Sequence, residues 1–184
     1  MRCRTQVIIL AKMRDPPVQQ GNGDPSRKNL WRSNPMKIFL VRHAHAVDGE
    51  PDDLRPLSSK GRKQIRTMAP FLKAEAGFDP TEIWHSPLLR AVQTAEQVSI
   101  VSSVTRRCEV GGLRPDDDPR AIAARLAATR KSVAVVGHEP NLSALATALL
   151  GDSMERPLVV LKKCAILTLE RERGVFRVSS LVAP

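Results

Sequence analysis

The stretch Met36-Lys37-Ile38-Phe39-Leu40-Val41-Arg42-His43-Ala44 decides the fold. Its first six residues form a short apolar run rich in strand-forming side chains, and polar residues follow at once. The run therefore predicts a buried strand that ends near Arg42 and His43. We expect the folded domain to begin at Met36 and to span residues 36–184.

The residues before this run have a different composition. The segment 15–35 is dense in Pro, Gly, Asn, Gln, Ser and basic residues. Such a segment buries too little apolar surface to offset the entropy cost of ordering. We predict a disordered basic tail over residues 1–35, and one hypothesis is that Met36 is the true start.

Charge and composition exclude several classes of protein. Of the formal net charge of +10, half comes from residues 1–35, which hold seven Lys and Arg against two Asp and Glu. Residues 36–184 hold 22 against 17, and the chain has no Tyr, so no nucleic-acid partner is expected. No apolar run reaches the length of a membrane span. The three cysteines are scattered, which indicates a reducing cytoplasm; we expect a monomer or weak oligomer.

Strand-like and helix-like segments alternate after residue 36, which predicts an α/β fold. We expect a single three-layer domain with a mostly parallel central sheet flanked by helices. The first helix should begin at Ser58 or Ser59 and be interrupted by Pro70. The other expected helices start at Pro87, near 119 and near Asn141, and the other expected strands lie at 83–84, 132–136, 163–170 and 174–180.

Three segments at the ends of predicted strands carry chemically suggestive residues. They are Val41–Ala44, Ser86–Ala95 and Val135–Asn141. In open α/β sheets, ligands bind beyond the carboxyl ends of the strands. Each segment alone is more often an ordinary loop or a helix surface, but together they bring two arginines and two histidines to one edge of the sheet.

This combination suits a dianionic phosphoryl group. Arginine presents a planar fork of donors that matches phosphoryl oxygens. A neutral imidazole can act as a nucleophile at physiological pH. The residues concerned are Arg42, His43, Arg90 and His138.

The three segments resemble the motifs of the histidine phosphatase superfamily, whose fold is the phosphoglycerate-mutase-like fold. The matching residues are Leu40-Val41-Arg42-His43-Ala44, Ser86-Pro87-Leu88-Leu89-Arg90-Ala91-Val92-Gln93-Thr94-Ala95 and Gly137-His138-Glu139-Pro140. The short length and the stretch 53–61 resemble the SixA branch of phosphohistidine phosphatases. The likeness covers residues 36–184.

The resemblance implies a role for each matching residue. His43 would attack phosphorus and carry the phosphoryl group as a phosphohistidine intermediate, which water then hydrolyses. Arg42, Arg90 and His138 would surround the phosphoryl oxygens, and His138 would be protonated when substrate is bound. The resemblance implies neither a metal nor another cofactor. Its implied substrate is phosphohistidine on a protein, and a small phosphorylated metabolite is the alternative.

Some positions depart from the family pattern or leave it open. Ala44 replaces a common glycine, and His45 is interpreted as a residue that caps the loop, although contact with substrate is an alternative. The candidate general acids are Glu109 and the run Asp116-Asp117-Asp118, although this run is alternatively a solvated turn or an N-cap for the helix near 119. A phosphoramidate such as phosphohistidine has a better leaving group than an alkoxide and needs no dedicated acid. The acidic residues of the loop 48–53 are interpreted as solvated, although contact with substrate or with a partner protein is an alternative.

Two hypotheses from other functional classes remain. The spacing His43-Ala44-His45 also matches a pair of metal ligands in zinc-dependent hydrolases. That reading needs further ligands, for which only His85, His138 and unclustered acids are available, and it explains neither Arg42 nor Arg90. The second reading is a module of the same fold that binds phosphorylated partners without turnover.

Overall fold

The computed structural model describes residues 6–8, 35–151 and 156–184 of the chain. It contains seven strands and four α-helices within these ranges. The strands are β1 (Gln6–Ile8), β2 (Lys37–Arg42), β3 (Glu82–His85), β4 (Arg107–Glu109), β5 (Val133–Gly137), β6 (Ile166–Glu172) and β7 (Val175–Ala183). The helices are α1 (Ser59–Met68), α2 (Leu89–Ser102), α3 (Arg120–Ala128) and α4 (Asn141–Leu149).

The strands form one sheet in the order β1-β7-β6-β2-β5-β3-β4. Strands β2, β5, β3 and β4 pair in parallel, whereas β6 and β7 extend the sheet in antiparallel fashion. The predicted α/β fold is confirmed, and its parallel part is the half of the sheet whose strand ends carry the chemically suggestive residues described above. The turn between β6 and β7 contains Arg173 and Gly174, both with positive φ, as a tight hairpin requires.

Helices cover both faces of the sheet. On one face, Ile38 and Leu40 of β2 belong to a core with Leu126 and Leu145 from α3 and α4. On the other face, Phe39 and Val41 belong to a core with apolar side chains of α1 and α2. Because β2 is buried on both faces, its sequence reads as a continuous apolar run rather than an alternating one.

Local signals explain where the helices begin and end. The Ser58 hydroxyl accepts a hydrogen bond from the Gly61 backbone N–H and caps α1, as predicted. Pro70 lies in a 3-10 turn that follows the end of α1 at Met68, so the predicted interruption is also confirmed. Helix α2 begins at Leu89, two residues later than predicted, because Pro87 and Leu88 are still extended or turning.

The predicted tail falls mostly outside the described residues. Of residues 1–34, only the backbone of β1 is described, and it pairs with β7 at the edge of the sheet. This strand was not predicted from the sequence. Within the described ranges, no helix is both long enough and apolar enough to cross a membrane.

Candidate active site

Three adjacent parallel strands end side by side and carry the predicted site residues. Arg42 at the end of β2 lies opposite Gly137 of β5, and His85 at the end of β3 lies opposite Val136. The hydrogen bonding between β2 and β5 continues one residue beyond β2. The His43 N–H donates to the Gly137 carbonyl over 3.0 Å. The parallel register therefore brings His43 and His138 to the same edge of the sheet.

The His43 ring is buried and its orientation is fixed. Its Nδ1 donates to the Ala44 carbonyl, 2.7 Å away, which leaves the lone pair of the neutral imidazole on Nε2. Burial, with the positive charges of Arg90, Arg42 and Lys163, lowers the pKa of His43 to about 4, although the hydrogen bond to the Ala44 carbonyl acts in the opposite direction. The ring is therefore uncharged at neutral pH and keeps a free nucleophilic nitrogen.

His138 lies directly beside His43. The two ring centroids are 4.9 Å apart, and His138 Nε2 is 2.9 Å from the Ser86 hydroxyl oxygen. Burial, then the neighbouring His43 and Arg90, lower the pKa of His138 to about 3. Without an anion, this ring is neutral as well.

Helix α2 places Arg90 and locks the loop of His43. The Arg90 side chain is buried in the first turn of the helix. Thr94 lies one turn later, donates its hydroxyl to the Arg90 carbonyl and accepts the Ala44 N–H over 3.1 Å. Gln93 accepts the Leu57 N–H. The segment Ser86–Ala95 therefore supplies the Arg90 cation, and its Gln93 and Thr94 side chains hold two neighbouring loops in place.

Asp52 is the partner of Arg90, a contact that the sequence reading missed. Arg90 Nη1 donates to the Asp52 carbonyl over 2.8 Å, and Nη2 donates to the Asp52 carboxylate over 2.9 Å. Arg55 bonds the other carboxylate oxygen at 2.7 Å. The Arg55 hydrogen bond, with help from Arg90, holds the pKa of Asp52 below its usual range, so the carboxylate is ionised. The only sequence signal was the i, i+3 spacing of Asp52 and Arg55.

Arg42 is anchored by the segment between α4 and β6. Its Nη1 donates to the Leu161 carbonyl over 2.7 Å. The Leu161 N–H donates in turn to a carboxylate oxygen of Glu139, the residue after His138. Glu139 thus links the second histidine to the segment that fixes the first arginine.

Two polar atoms of this cluster lack partners. Among the residues that the structure describes, the buried side-chain nitrogens and oxygens without a hydrogen bond are Arg42 Nε, His138 Nδ1 and Asn141 Oδ1. Buried polar atoms are normally paired. Two of these three atoms belong to the residues predicted to surround a phosphoryl group, Arg42, Arg90 and His138.

The accessory residues lie elsewhere or act differently. His45 Nδ1 is 2.9 Å from the Ser58 hydroxyl, and the His45 carbonyl accepts the Ser58 N–H, so His45 joins its loop to the start of α1. Glu109 and Asp116 are exposed and form no hydrogen bond or ion pair with the described site residues. Within the described ranges, no three His, Cys, Asp or Glu side chains form a group able to hold a metal ion.

Comparisons with known proteins give matches in sequence and in fold. The family model of the histidine phosphatase superfamily (branch 1) matches residues 38–109. Phosphohistidine phosphatase SixA of Escherichia coli K12 is 33% identical over 120 residues, which cover 62% of this chain and 74% of that protein. The solved structure of the protein histidine phosphatase SixA with tungstate matches with a TM-score of 0.73 and 26% identity, covering 81% of this chain and 97% of that one. A phosphoserine phosphatase from Entamoeba histolytica shares the fold, with a TM-score of 0.63, 17% identity, and 81% and 98% coverage.

We predict that His43 and His138 stay uncharged as the pH falls from 7 to about 5, because burial and nearby cations lower their pKa values to about 4 and 3. The unfolded chain protonates these rings near their ordinary pKa of about 6.5. Between the two values it binds more protons than the folded chain, so the free energy of unfolding decreases as the pH falls. A ¹⁵N NMR titration of the rings measures this directly, and protonation of ligand-free His43 above pH 6 would contradict it.

Proposed function

This chain belongs to the histidine phosphatase superfamily, in its SixA branch, and is a phosphatase; we propose that His43 is its nucleophile and that phosphohistidine on proteins is its substrate. The observation that supports the site assignment most strongly is the pair of unpartnered buried atoms, Arg42 Nε and His138 Nδ1, beside a neutral His43. An anion with several acceptor oxygens would satisfy both atoms. We also propose a cytoplasmic location, with which the free thiols of Cys108 and Cys164 agree.

The proposed reaction has two displacements at phosphorus. His43 Nε2 attacks, a nitrogen–phosphorus bond forms, and the bond between phosphorus and the leaving group breaks. Water then attacks the phosphohistidine, and inorganic phosphate leaves while His43 regains its lone pair. Arg42 and Arg90 neutralise the charge on the equatorial oxygens in both steps.

His138 changes its charge state in this scheme. It is neutral without substrate because burial and neighbouring charges disfavour the cation. A bound dianion reverses the sign of the local field and favours the imidazolium form. The protonated ring then donates to the phosphoryl group through Nδ1, which has no partner among the described residues of the ligand-free protein.

The carboxyl groups support a substrate with a good leaving group. Asp52 contacts the cluster through Arg90, but it is held ionised and has no proton to give at neutral pH. Glu109 and Asp116 are exposed and uncoupled from the four central residues. A phosphoramidate such as phosphohistidine needs less assistance from a general acid than a phosphate ester of an alcohol.

A substrate panel tests the proposal. A phosphohistidine-bearing protein, phosphosugars, nucleotides and p-nitrophenyl phosphate are assayed with the wild type and with His43→Ala. We expect phosphohistidine to have the highest kcat/KM, and we expect His43→Ala to lose at least about 10³-fold in turnover of every substrate, because no other side chain replaces the nucleophile.

The outcomes separate the two parts of the proposal. Faster turnover of a phosphosugar than of phosphohistidine would contradict the substrate assignment and leave the mechanism standing. Residual turnover near the wild-type rate in His43→Ala would contradict the nucleophile. Phosphate binding without turnover of any substrate would indicate the binding module instead.

Asp52→Asn tests whether Asp52 positions Arg90. The substitution keeps the backbone contact but removes the charged partner, so Arg90 loses a charge-assisted hydrogen bond and its fixed orientation. We expect kcat/KM to fall about tenfold, which corresponds to about 1.4 kcal/mol. Steady-state kinetics with p-nitrophenyl phosphate and the inhibition constant of inorganic phosphate measure the effect.

Asp53→Asn is the matched control. Asp53 is the adjacent acid and pairs with Arg114 rather than with Arg90, so its removal should leave kcat/KM within about twofold. If Asp52 only masked Arg90, the Asn variant would bind phosphate more tightly and work faster than the wild type. That result would overturn the positioning role.

A further inference from the structure

Lys163 lies on a segment that is tied to the active site on both sides. Before it, Leu161 bonds Glu139 through its N–H at 2.8 Å and Arg42 through its carbonyl at 2.7 Å. After it, the Cys164 N–H lies 3.1 Å from the Arg42 carbonyl and 3.2 Å from the His43 carbonyl. The backbone of Lys163 is therefore held next to the nucleophile rather than in a free surface loop.

The positive charge of Lys163 acts on two histidines, His43 and His45. It is half-buried, and it lowers the pKa values of both His43 and His45. Burial first, and then the nearby Arg42 and Arg55, lower the pKa of Lys163 itself. Lys163 thus belongs to a concentration of positive charge beside His43.

Lys163 differs from Arg55 and Arg90 because it forms no ion pair with an acid that the structure describes. Arg90 bonds Asp52, and Arg55 bonds both Asp48 and Asp52. Asp48 is close enough to raise the pKa of Lys163, but its salt bridge is with Arg55. Lys163 has no ion pair or hydrogen bond from its ammonium group to any residue that the structure describes.

Lys60 adds a second cation on the same side. It lies in the first turn of α1, beside the Ser58 hydroxyl that contacts His45. Its charge acts on both His45 and Lys163, and within the described ranges it also forms no ion pair. We call Lys60 and Lys163 together the cationic rim.

On the basis of the proposed function, we infer that the cationic rim, and Lys163 above all, binds a second negative group of the substrate, namely an acidic side chain that flanks the phosphohistidine on its protein. In the proposed mechanism Arg42, Arg90 and His138 already surround the phosphoryl oxygens, so the unpaired charge of Lys163, on the segment that anchors Arg42, is available to a second negative group. A carboxylate next to the phosphorylated residue supplies that partner. The rim would therefore select among phosphorylated proteins rather than drive the chemical step.

We expect the cationic rim to affect the binding of the substrate rather than the chemical step. Charges at the edge of an interface change association and its salt dependence more than the steps that follow. Truncating Lys163 should therefore raise KM and leave kcat nearly unchanged. The expected size is about three- to tenfold, as for a partly exposed ion pair.

The experiment compares two phosphohistidine peptides of the same length, one with Asp and Glu beside the phosphohistidine and one with Ser at those positions. Both are assayed with the wild type, Lys163→Ala and Lys163→Arg at low and moderate salt. Lys162→Ala is the matched control, because Lys162 is the exposed neighbour on the same segment. p-Nitrophenyl phosphate serves as the substrate without a second charge.

We expect Lys163→Ala to raise KM about three- to tenfold for the acidic peptide only, Lys163→Arg to restore it, and Lys162→Ala to behave like the wild type. Added salt should remove the wild-type preference for the acidic peptide. Equal effects of Lys163→Ala on both peptides, or no effect on either, would overturn the inference while the proposed function stands. If the wild type hydrolyses p-nitrophenyl phosphate but neither peptide, the proposed function fails, and the inference falls with it.

Discussion

The parallel pairing of β2 with β5 is the constraint on which the site depends. Its register sets Arg42 opposite Gly137, so the residues that follow, His43 and His138, leave the sheet side by side with ring centroids 4.9 Å apart. A slip of one residue would turn each side chain to the opposite face. Gly137 itself is closely packed, since a Cβ there would lie 3.2 Å from Leu142 of α4. The close packing of α4 against the end of β5 therefore favours glycine, which has no Cβ, at position 137.

Burial and nearby charges together determine the protonation of the histidines and the anion binding of the arginines at this strand end. The apolar surroundings keep both imidazoles neutral, and a neutral His43 is what nucleophilic attack requires. The same surroundings strengthen the interaction of Arg42 and Arg90 with an anion. Asp52 compensates part of this positive charge in the ligand-free protein and orients Arg90 without occupying all of its donors. The site is thus preorganised by contacts among its own residues.

The sequence was sufficient for the features that depend on local signals. The apolar run before Arg42 predicted the central strand, Ser58 predicted the start of α1, and Pro70 its end. The juxtaposition of His43 and His138 followed from the rule that parallel strands share a carboxyl edge. The contact between Asp52 and Arg90 spans 38 residues and depends on how a loop folds over α2, so no local pattern revealed it. Lys163 was missed for the same reason, because its place beside His43 comes from backbone bonds of Leu161 and Cys164.

The most direct test of the central claim is to look for the phosphoryl group on His43 during a single turnover. The enzyme in excess over a phosphohistidine protein is quenched in alkali at successive times, digested, and mapped by mass spectrometry. The account predicts a phosphoryl group on His43 that forms as the substrate is dephosphorylated and decays as inorganic phosphate appears. Transfer to another residue, or release of inorganic phosphate with no phosphorylated His43 at any time, would contradict it.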